Sequence, residues 1–593
     1  MTERPNASER AVNSVRTFDG ASALESATLR DWALRDWVWL GLAVVLVVGT
    51  GIGVRNPWPA DEPRFALIAR DMVGTGDWLF PRVGGDLYPD KPPIFFWLLS
   101  IGYWLTGSLR ASFLIPSFIA ACTVAGLIYD LGRRLFGRAA GLAASLTLVF
   151  TLQFALTMRG AQIDPTLSVL TTLSLYGLLR HLLLGPSWGW YFVGGVAAGV
   201  GVVTKGVGFL PLLVLLPYVF FAARGFNGLP RFKGGARWGL VALGFLVGVS
   251  VWLVPMLAAV ATRNDPSLVA YRNEILFHQT VERYAAAWHH VEPWYYFLVE
   301  VIPPLWLPLS LLLFWLVPKW KNAWQERDAR VWLPLAWTIL TTFFFSLSTG
   351  KRGVYLFPAL PAAALAAAPY LENLYRRKGV GRASLALAAV LVLGAVGVLV
   401  SALEGSHLRK TLTESLGDYL TPLISFLVVG ATAWIACAVR RPVLAWPAVF
   451  ASLAVVVSYT VLPNMDGERS TRTFMKQVLA GVPRGTDFAV ASYKEQFLLY
   501  LDRPIVNFGH ARWREGDQET HDAAAWLNAR PGRVLLIPES SVEPCFGQTL
   551  KRAAGMASGD RWVLVSGRAN ETCAAKGRTE RAIYYRPSVI AAG

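Results

Sequence analysis

The sequence predicts a polytopic α-helical membrane protein of about thirteen transmembrane helices that ends in a small extracytoplasmic α/β domain. Three observations lead to this fold class. Of the 593 residues, 54% are hydrophobic and only 16% are charged, whereas a soluble protein has about 25% charged residues. Apolar runs of about 17–24 residues recur between short basic loops, as they do in membrane proteins. From about residue 464 the long apolar runs give way to short segments typical of strands.

Thirteen apolar runs are long enough to cross a hydrocarbon core of about 30 Å at a rise of about 1.5 Å per residue. The polar stretch 1–36 precedes the first run and has no short apolar core with a cleavage site, so we predict a cytoplasmic tail and no cleaved signal peptide. The predicted spans lie near 37–54, 111–131, 139–157, 165–183, 188–204, 206–224, 237–260, 295–318, 332–348, 354–372, 383–403, 420–439 and 443–463.

Lysine and arginine are concentrated in alternate loops, which predicts the orientation of the chain. Basic loops remain on the cytoplasmic side of bacterial membranes. We therefore expect a multi-pass protein of the bacterial inner membrane, with its N-terminus in the cytoplasm and its C-terminus in the periplasm. The net charge of +17 then reflects topology, and no nucleic-acid partner is expected. The basic loops read "GRRLFGR", "RGFNGLPRFKGGAR", "KWKNAWQERDAR", "YRRKGVGR" and "RRP".

The region 464–593 is predicted to form a periplasmic α/β domain. Cys545 and Cys573 both lie in this region, and an exported domain is a place where disulfides persist. Two free thiols remain an equal alternative, because the spacing alone does not fix the geometry. The predicted strands read "TDFAVASY", "RPIVNF", "GRVLLIPES", "DRWVLVSG" and "RAIYYRP".

The transmembrane region 37–463 has periplasmic loops that carry unusual charged residues. In the first of them, "DEPRFALIARDMV" places Phe65, Ile68 and Met72 on one face at helical spacing. This pattern predicts an amphipathic helix lying on the outer leaflet. The periplasmic loops in which we expect the chemistry are 55–110, 158–164, 261–294 and 349–354.

Carboxylates at these loops have two interpretations. Asp61 and Glu62 precede a helical segment and Asp164 precedes Pro165, so each could do no more than cap a helix. They also lie on the side of the membrane that carries Lys91, Lys205 and other cations, and a carboxylate there could act as a base or orient an acceptor.

The cations of the same loops suit a phosphate at the lipid–water boundary. Lys205 joins two apolar runs and could instead be a snorkelling lysine. The Lys351–Arg352 pair opposes the positive-inside bias and is therefore informative. Histidines in 261–294 do not have the spacing of a standard zinc site.

Four motifs in order resemble a known family. These are "DEPR", "GDW" with "YPDKPP", "HHVEPWYYF" and "SLSTGKRGVYLFPALP". Together they resemble the GT-C fold membrane glycosyltransferases of the protein O-mannosyltransferase superfamily. The most similar branch transfers 4-amino-4-deoxy-L-arabinose to lipid A, and its plan also has thirteen spans with an external C-terminal domain. The resemblance covers roughly 35–465.

The resemblance implies an inverting glycosyltransferase that takes a sugar, an aminoarabinose-like pentose or a hexose, from a polyprenyl (undecaprenyl) phosphate carrier. The implied acceptor is lipid A or another envelope lipid, glycan or protein. No metal is required in such a scheme, although a divalent metal is compatible with it. Asp90 departs from the family's glutamate, which leaves the sugar and the acceptor open.

The resemblance also implies roles for individual residues. Catalytic roles fall to Asp61, Glu62 and Asp164. The donor phosphate would be bound by Tyr88, Lys91, Arg283, Lys351, Arg352 and Tyr355. Substrate contacts are expected from Arg64, Arg159, Lys205, His278 and His290.

Other functions remain as alternatives. Protein O-mannosylation is the nearest one within the same superfamily. A transporter of lipid-linked glycans would instead place ionisable groups near the middle of its spans, and an assembly protein would not depend on Asp61 or Lys91. For each enzyme hypothesis the partners are a polyprenyl-phosphate sugar, an envelope acceptor and membrane lipids.

Overall fold

The structure is a computed structural model that describes residues 34–277, 291–510 and 515–587. Within these residues, nine helices are long and apolar enough to cross a membrane, and two bent pairs raise the number to eleven. The nine are Leu109–Phe136, Ile163–Leu184, Gly206–Ala223, Gly235–Arg263, Ala329–Leu347, Gly353–Tyr375, Lys378–Glu404, Leu420–Arg440 and Pro442–Ala480.

The two bent pairs coincide with predicted spans. Arg138–Val149 and Leu152–Met158 meet at 64°, and Phe297–Leu305 and Leu309–Gln325 meet at 109°. The other two predicted spans correspond to shorter helices, Leu34–Val44 with its continuation Val45–Gly49, and Trp188–Val202. Each predicted span therefore contains an apolar helix, while the count of thirteen crossings stays a prediction.

Glycines explain how one short helix packs among the longer ones. Trp188–Val202 contacts Leu240–Arg263 along its length. A Cβ atom on Gly195 or Gly199 would approach a backbone oxygen of that helix to 2.2 Å. Since the helix axes can come this close only without side chains between them, glycine at every fourth position sets the packing.

The loop 55–110 contains a hairpin, Arg82–Val83 (β1) and Asp86–Leu87 (β2). The strands of the C-terminal region are Phe488–Val490 (β3), Ile505–Asn507 (β4), Val534–Pro538 (β5), Leu550–Ala557 (β6), Asp560–Ser566 (β7) and Ile583–Tyr585 (β8). They form a six-stranded sheet in the order β6-β7-β5-β3-β4-β8. The pairs β3–β4 and β3–β5 are parallel, and the remaining pairs are antiparallel. Five of these strands match predicted segments, and β6 was missed.

Alternate residues of this sheet face two different cores, as the two-residue period of a strand requires. Leu535 and Ile537 face the helix Gln518–Ala529 on one side. Leu536 joins a core on the other side that also contains residues of the first periplasmic loop. A disulfide between Cys545 and Cys573 lies in the former core, which decides between the two alternatives left open by the sequence.

The helix Glu62–Thr75 lies beneath this sheet, so the prediction that it rests on the outer leaflet is wrong. Its apolar residues Phe65, Ile68 and Met72 are buried as expected, but Arg70 and Asp71 on its other face are buried as well. The C-terminal domain covers that face. No side-chain capping bond is made at Asp61, where the helix begins.

Two buried charges of this helix are satisfied by the C-terminal domain. Arg70 donates to the carbonyl oxygens of Leu498 and Leu499 at 3.0 Å each, and to the Tyr585 hydroxyl at 2.6 Å. The same hydroxyl donates to the Asp71 carboxylate at 2.8 Å. Burial raises the pKa of Asp71 to about 6, although Arg70 and Tyr585 oppose that rise. The interface therefore depends on partners for Arg70 and Asp71 that come from the C-terminal domain.

We expect Tyr585→Phe to weaken this interface by about 1–3 kcal/mol, because it leaves buried partners on Arg70 and Asp71 unsatisfied. The measurement is pulse proteolysis of the C-terminal domain in detergent together with the thermal midpoint. Tyr584→Phe is the matched control, since that side chain is 69% exposed. Equal protease resistance in the two variants would contradict the prediction.

Candidate functional site

Glu62 joins the loop 55–110 to the loop before Asp164. Its carboxylate accepts two bonds from the Arg55 guanidinium, at 2.5 and 2.8 Å, and one from the Trp58 backbone amide at 2.9 Å. The Ala161 backbone amide donates to it at 3.0 Å. With four donors and almost no exposure, Glu62 is placed to hold the two loops together rather than to reach a substrate.

Asp61 lies beside this junction and remains partly exposed, with 32% of its side chain accessible. Arg64 is 3.7 Å from it and contacts Glu495 of the C-terminal domain at 2.7 Å. Burial opposes the charge of Arg64, but Glu495 and then Tyr88 outweigh it and raise the pKa of the guanidinium. A fixed cation therefore stands next to an accessible carboxylate.

Tyr88 lies beside Arg64, and His510 lies beside Glu495. Their rings are 5.6 Å apart, and Arg64 lies 5.9 Å from the Tyr88 ring. Burial, then the charge of Asp90, raises the pKa of Tyr88, so the phenol stays neutral. Burial also lowers the pKa of His510, although Glu495 at 3.4 Å favours its charged form. Lys91 follows Asp90 in the half-buried turn that leads into the Ile94–Thr106 helix.

A second group brings together three predicted residues from three separate segments. Asp164 is in the first turn of Ile163–Leu184, and Lys205 donates to its carboxylate at 2.7 Å. The Lys205 ammonium also lies 5.0 Å from the centre of the Tyr355 ring. Tyr355 belongs to the 3₁₀ helix Gly353–Ala359, which begins directly after Arg352. The result is a partly buried cation held by a carboxylate and an aromatic face.

Lys351 and Arg352 point to different surroundings. Lys351 is buried, and its ammonium donates to the carbonyl oxygens of Glu292 and Ser348. It thereby joins the 349–354 loop to the end of the 261–294 loop. Arg352 is exposed. Of the two, only Arg352 presents its charge to solvent.

Arg159 lies apart from both groups. Its guanidinium donates to the carbonyl oxygen of Val47, to the Thr50 hydroxyl and to the Ser458 hydroxyl. Val47 and Ser458 belong to the first and last apolar helices, and Thr50 directly follows the first. The predicted substrate contact is thus placed between two helices rather than beside Asp61 or Asp164.

Three predicted site residues, His278, Arg283 and His290, lie outside the described residues. Among the residues that are described, one group could satisfy a metal by distance alone, His521 with Cys545 and Cys573. The two cysteines are bonded to each other, so their sulfurs are not available as thiolate ligands.

The structure adds three residues that sequence reasoning missed: Arg55, Glu495 and His510. Arg55 carried a usable signal, because an arginine directly after the first span on the periplasmic side opposes the positive-inside bias. Glu495 and His510 carried none, since they belong to the C-terminal region, which the resemblance does not cover. Chemically, the two groups supply accessible acid, fixed cations and neutral aromatic surface, which suits a phosphorylated sugar carrier.

Sequence comparison places these features in a family. Residues 90–254 match the dolichyl-phosphate-mannose-protein mannosyltransferase family. An undecaprenyl phosphate-α-4-amino-4-deoxy-L-arabinose arabinosyl transferase from Pseudomonas fluorescens strain Pf-5 is 31% identical over 453 residues, which are 73% of this chain and 77% of the relative. Another from strain Pf0-1 is 29% identical over 73% of this chain and 74% of its own length.

Solved structures agree on the fold. ArnT from Cupriavidus metallidurans, crystallised with undecaprenyl phosphate, superposes with a TM-score of 0.71 at 23% identity, covering 90% of this chain and all of that one. The Archaeoglobus fulgidus oligosaccharyltransferase gives 0.50 at 14% identity, over 86% of this chain and 69% of that one. A multi-span GT-C membrane protein is confirmed, and the transporter and assembly alternatives are set aside. The chain therefore belongs to the undecaprenyl phosphate-α-4-amino-4-deoxy-L-arabinose arabinosyl transferases and is a membrane glycosyltransferase.

Proposed function

We propose that this protein transfers an aminoarabinose-like sugar from undecaprenyl phosphate to lipid A or a related envelope acceptor. The observation that supports it most is the bond between Glu62 and the Ala161 amide, because it joins the loops that bear Asp61 and Asp164. We place the reaction at the periplasmic face of the inner membrane, with the N-terminus in the cytoplasm, in keeping with the basic cytoplasmic loops.

In the proposed reaction the bond between the anomeric carbon and the carrier phosphate oxygen breaks, while an acceptor oxygen bonds to the opposite face of that carbon. The leaving phosphate gains charge, which Lys91, Arg64 and Arg283 would stabilise. Asp61 would take the proton of a hydroxyl acceptor. If the acceptor is a phosphate, which needs little help from a base, Asp61 would align it instead. No metal enters this scheme, since the side chains match the charge of a phosphate monoester.

Protein O-mannosylation is the second candidate, and the family match over residues 90–254 favours it. The two candidates differ in both donor and acceptor. Membranes supplied with labelled undecaprenyl-phosphate sugars would carry the label into the lipid A fraction for the first function and into protein for the second.

Asp61→Asn is expected to lower the transfer rate by about 10²–10⁴-fold, because it removes the proposed base. Lys91→Ala should cost about 10²–10³-fold through lost stabilisation of the leaving phosphate. The measurement is label transferred to lipid A by membranes with equal amounts of each variant. Asp560→Asn, at the turn between β6 and β7, and the exposed Lys410→Ala are matched controls. Wild-type rates in either test variant would refute its assigned role.

Lys205→Met is expected to reduce the same rate by about 10²-fold, since Asp164 loses its partner and the site loses a cation. Variants of Tyr355 distinguish a role of its aromatic ring from a role of its hydroxyl group. Tyr355→Phe keeps the ring that faces Lys205 and should stay near wild type, whereas Tyr355→Leu removes it and should resemble a partial Lys205 defect. If Tyr355→Phe is as defective as Tyr355→Leu, the hydroxyl rather than the ring is required.

Glu495→Gln is expected to lower kcat/KM for the donor about tenfold, because a charged hydrogen bond of about 1.5–3 kcal/mol positions Arg64. The change should appear mainly in KM, since Glu495 touches Arg64 and not the reacting atoms in this proposal. Glu495→Asp should restore part of the effect. An unchanged KM with a lowered kcat would argue against a positioning role in donor binding.

A further inference from the structure

The positive charge of Arg159 is not matched by a carboxylate in the described part of the chain. Its hydrogen bonds go to neutral oxygens, at 2.8 Å to Val47, 3.2 Å to Thr50 and 2.6 Å to Ser458. Burial, and next the charge of Arg55, lower the pKa of Arg159 to about 10. A partly buried guanidinium in this state gains from an anion beside it.

A cavity of about 150 Å³ opens at this side chain. Arg159, Arg55, Thr50 and Trp58 supply its polar and aromatic wall, and Val457 is on its apolar side. A cavity of about 150 Å³ holds a ring of six carbon atoms, so a phosphate group of five heavy atoms fits. Because Glu62 already neutralises Arg55, the cavity presents one unmatched positive charge, which suits a phosphodiester.

An apolar groove of about 210 Å³ lies on the other side of Val457, which lines both spaces. Leu391, Leu412 and Phe426 contribute to it from three different helices. The shared residue begins a π-helical turn, Val457–Val461, in the last apolar helix. Such turns occur often at functional sites. A charged cavity and an apolar groove that meet at one residue have the shape of a lipid headgroup and its chain.

We propose that this pair of spaces is a binding site for an anionic phospholipid of the outer leaflet. Its phosphodiester lies against Arg159 in the cavity, and one acyl chain passes Val457 into the groove. The depth agrees, because Arg159 follows directly after the apolar helix Leu152–Met158, where lipid phosphates meet the protein surface. Basic pockets between membrane helices recognise anionic headgroups in this way. Arg55 and Trp58 line the cavity and also bind Glu62, so this lipid site adjoins the residues proposed for sugar transfer.

The test is lipid retention, measured by native mass spectrometry of the full-length protein released from nanodiscs of phosphatidylcholine with one part in ten of phosphatidylglycerol. We expect wild type to retain phosphatidylglycerol about tenfold over its share, the change that about 1.4 kcal/mol of preference produces. Arg159→Gln should lose the preference. Arg263→Gln is the matched control, because that arginine is exposed and does not line either space.

Two further measurements distinguish binding of the headgroup from binding of the acyl chain. Ala395→Phe fills the groove without changing charge, so it should reduce retention of the intact lipid. Inorganic phosphate at millimolar concentration should not displace the lipid, since it lacks the chain. Equal preference in wild type and Arg159→Gln would overturn the proposal, as would displacement by phosphate alone. If Arg159→Gln does not purify as a single species, unchanged retention by Ala395→Phe overturns the proposal in its place. Transfer activity is not the readout, so failure here leaves the proposed function untouched.

Discussion

The carboxylate of Glu62 is the contact on which the periplasmic side of this protein depends. It is buried and accepts from Arg55, Trp58 and Ala161, and a buried carboxylate is tolerable only when its acceptor sites are filled in this way. Because the donors come from two loops, the charge cannot be satisfied unless those loops meet. The position of Asp61 is a consequence, since Asp61 directly precedes Glu62 in the chain.

The C-terminal domain makes further contacts with the helix that begins at Glu62. Arg70 and Asp71 lie 3.6 Å from each other, and the backbone of Leu498 and the hydroxyl of Tyr585 supply their hydrogen bonds from the C-terminal domain. Glu495 of the same domain binds Arg64, which lies six residues before Arg70 on this helix. The same surface that covers the helix thus also positions a cation of the candidate site. Docking of the C-terminal domain is therefore energetically coupled to the positioning of Arg64 in the candidate site.

The sequence was sufficient for features that follow from local pattern and insufficient for those that follow from tertiary pairing. The length of the apolar runs predicted a helix in every span, and the pattern of short apolar segments predicted five strands. Asp164, Lys205 and Tyr355 were each predicted as site residues, and the structure brings Lys205 into contact with the other two. The first-loop helix was misplaced because its polar face looked solvated, and its partners lie over 400 residues away. No local signal encodes such pairing.

Lys205 and Arg159 show why equal sequence signals can lead to different chemistry. Both are cations at the end of an apolar run, and a snorkelling role was the alternative for Lys205. Lys205 meets a carboxylate at 2.7 Å, so its charge is already balanced and serves to hold Asp164. Arg159 meets neutral oxygens beside a cavity, so its balance must come from outside the described chain. In a membrane the available counter-charge at that depth is a lipid phosphate, and the apolar groove next to the cavity is what distinguishes a lipid from a free ion.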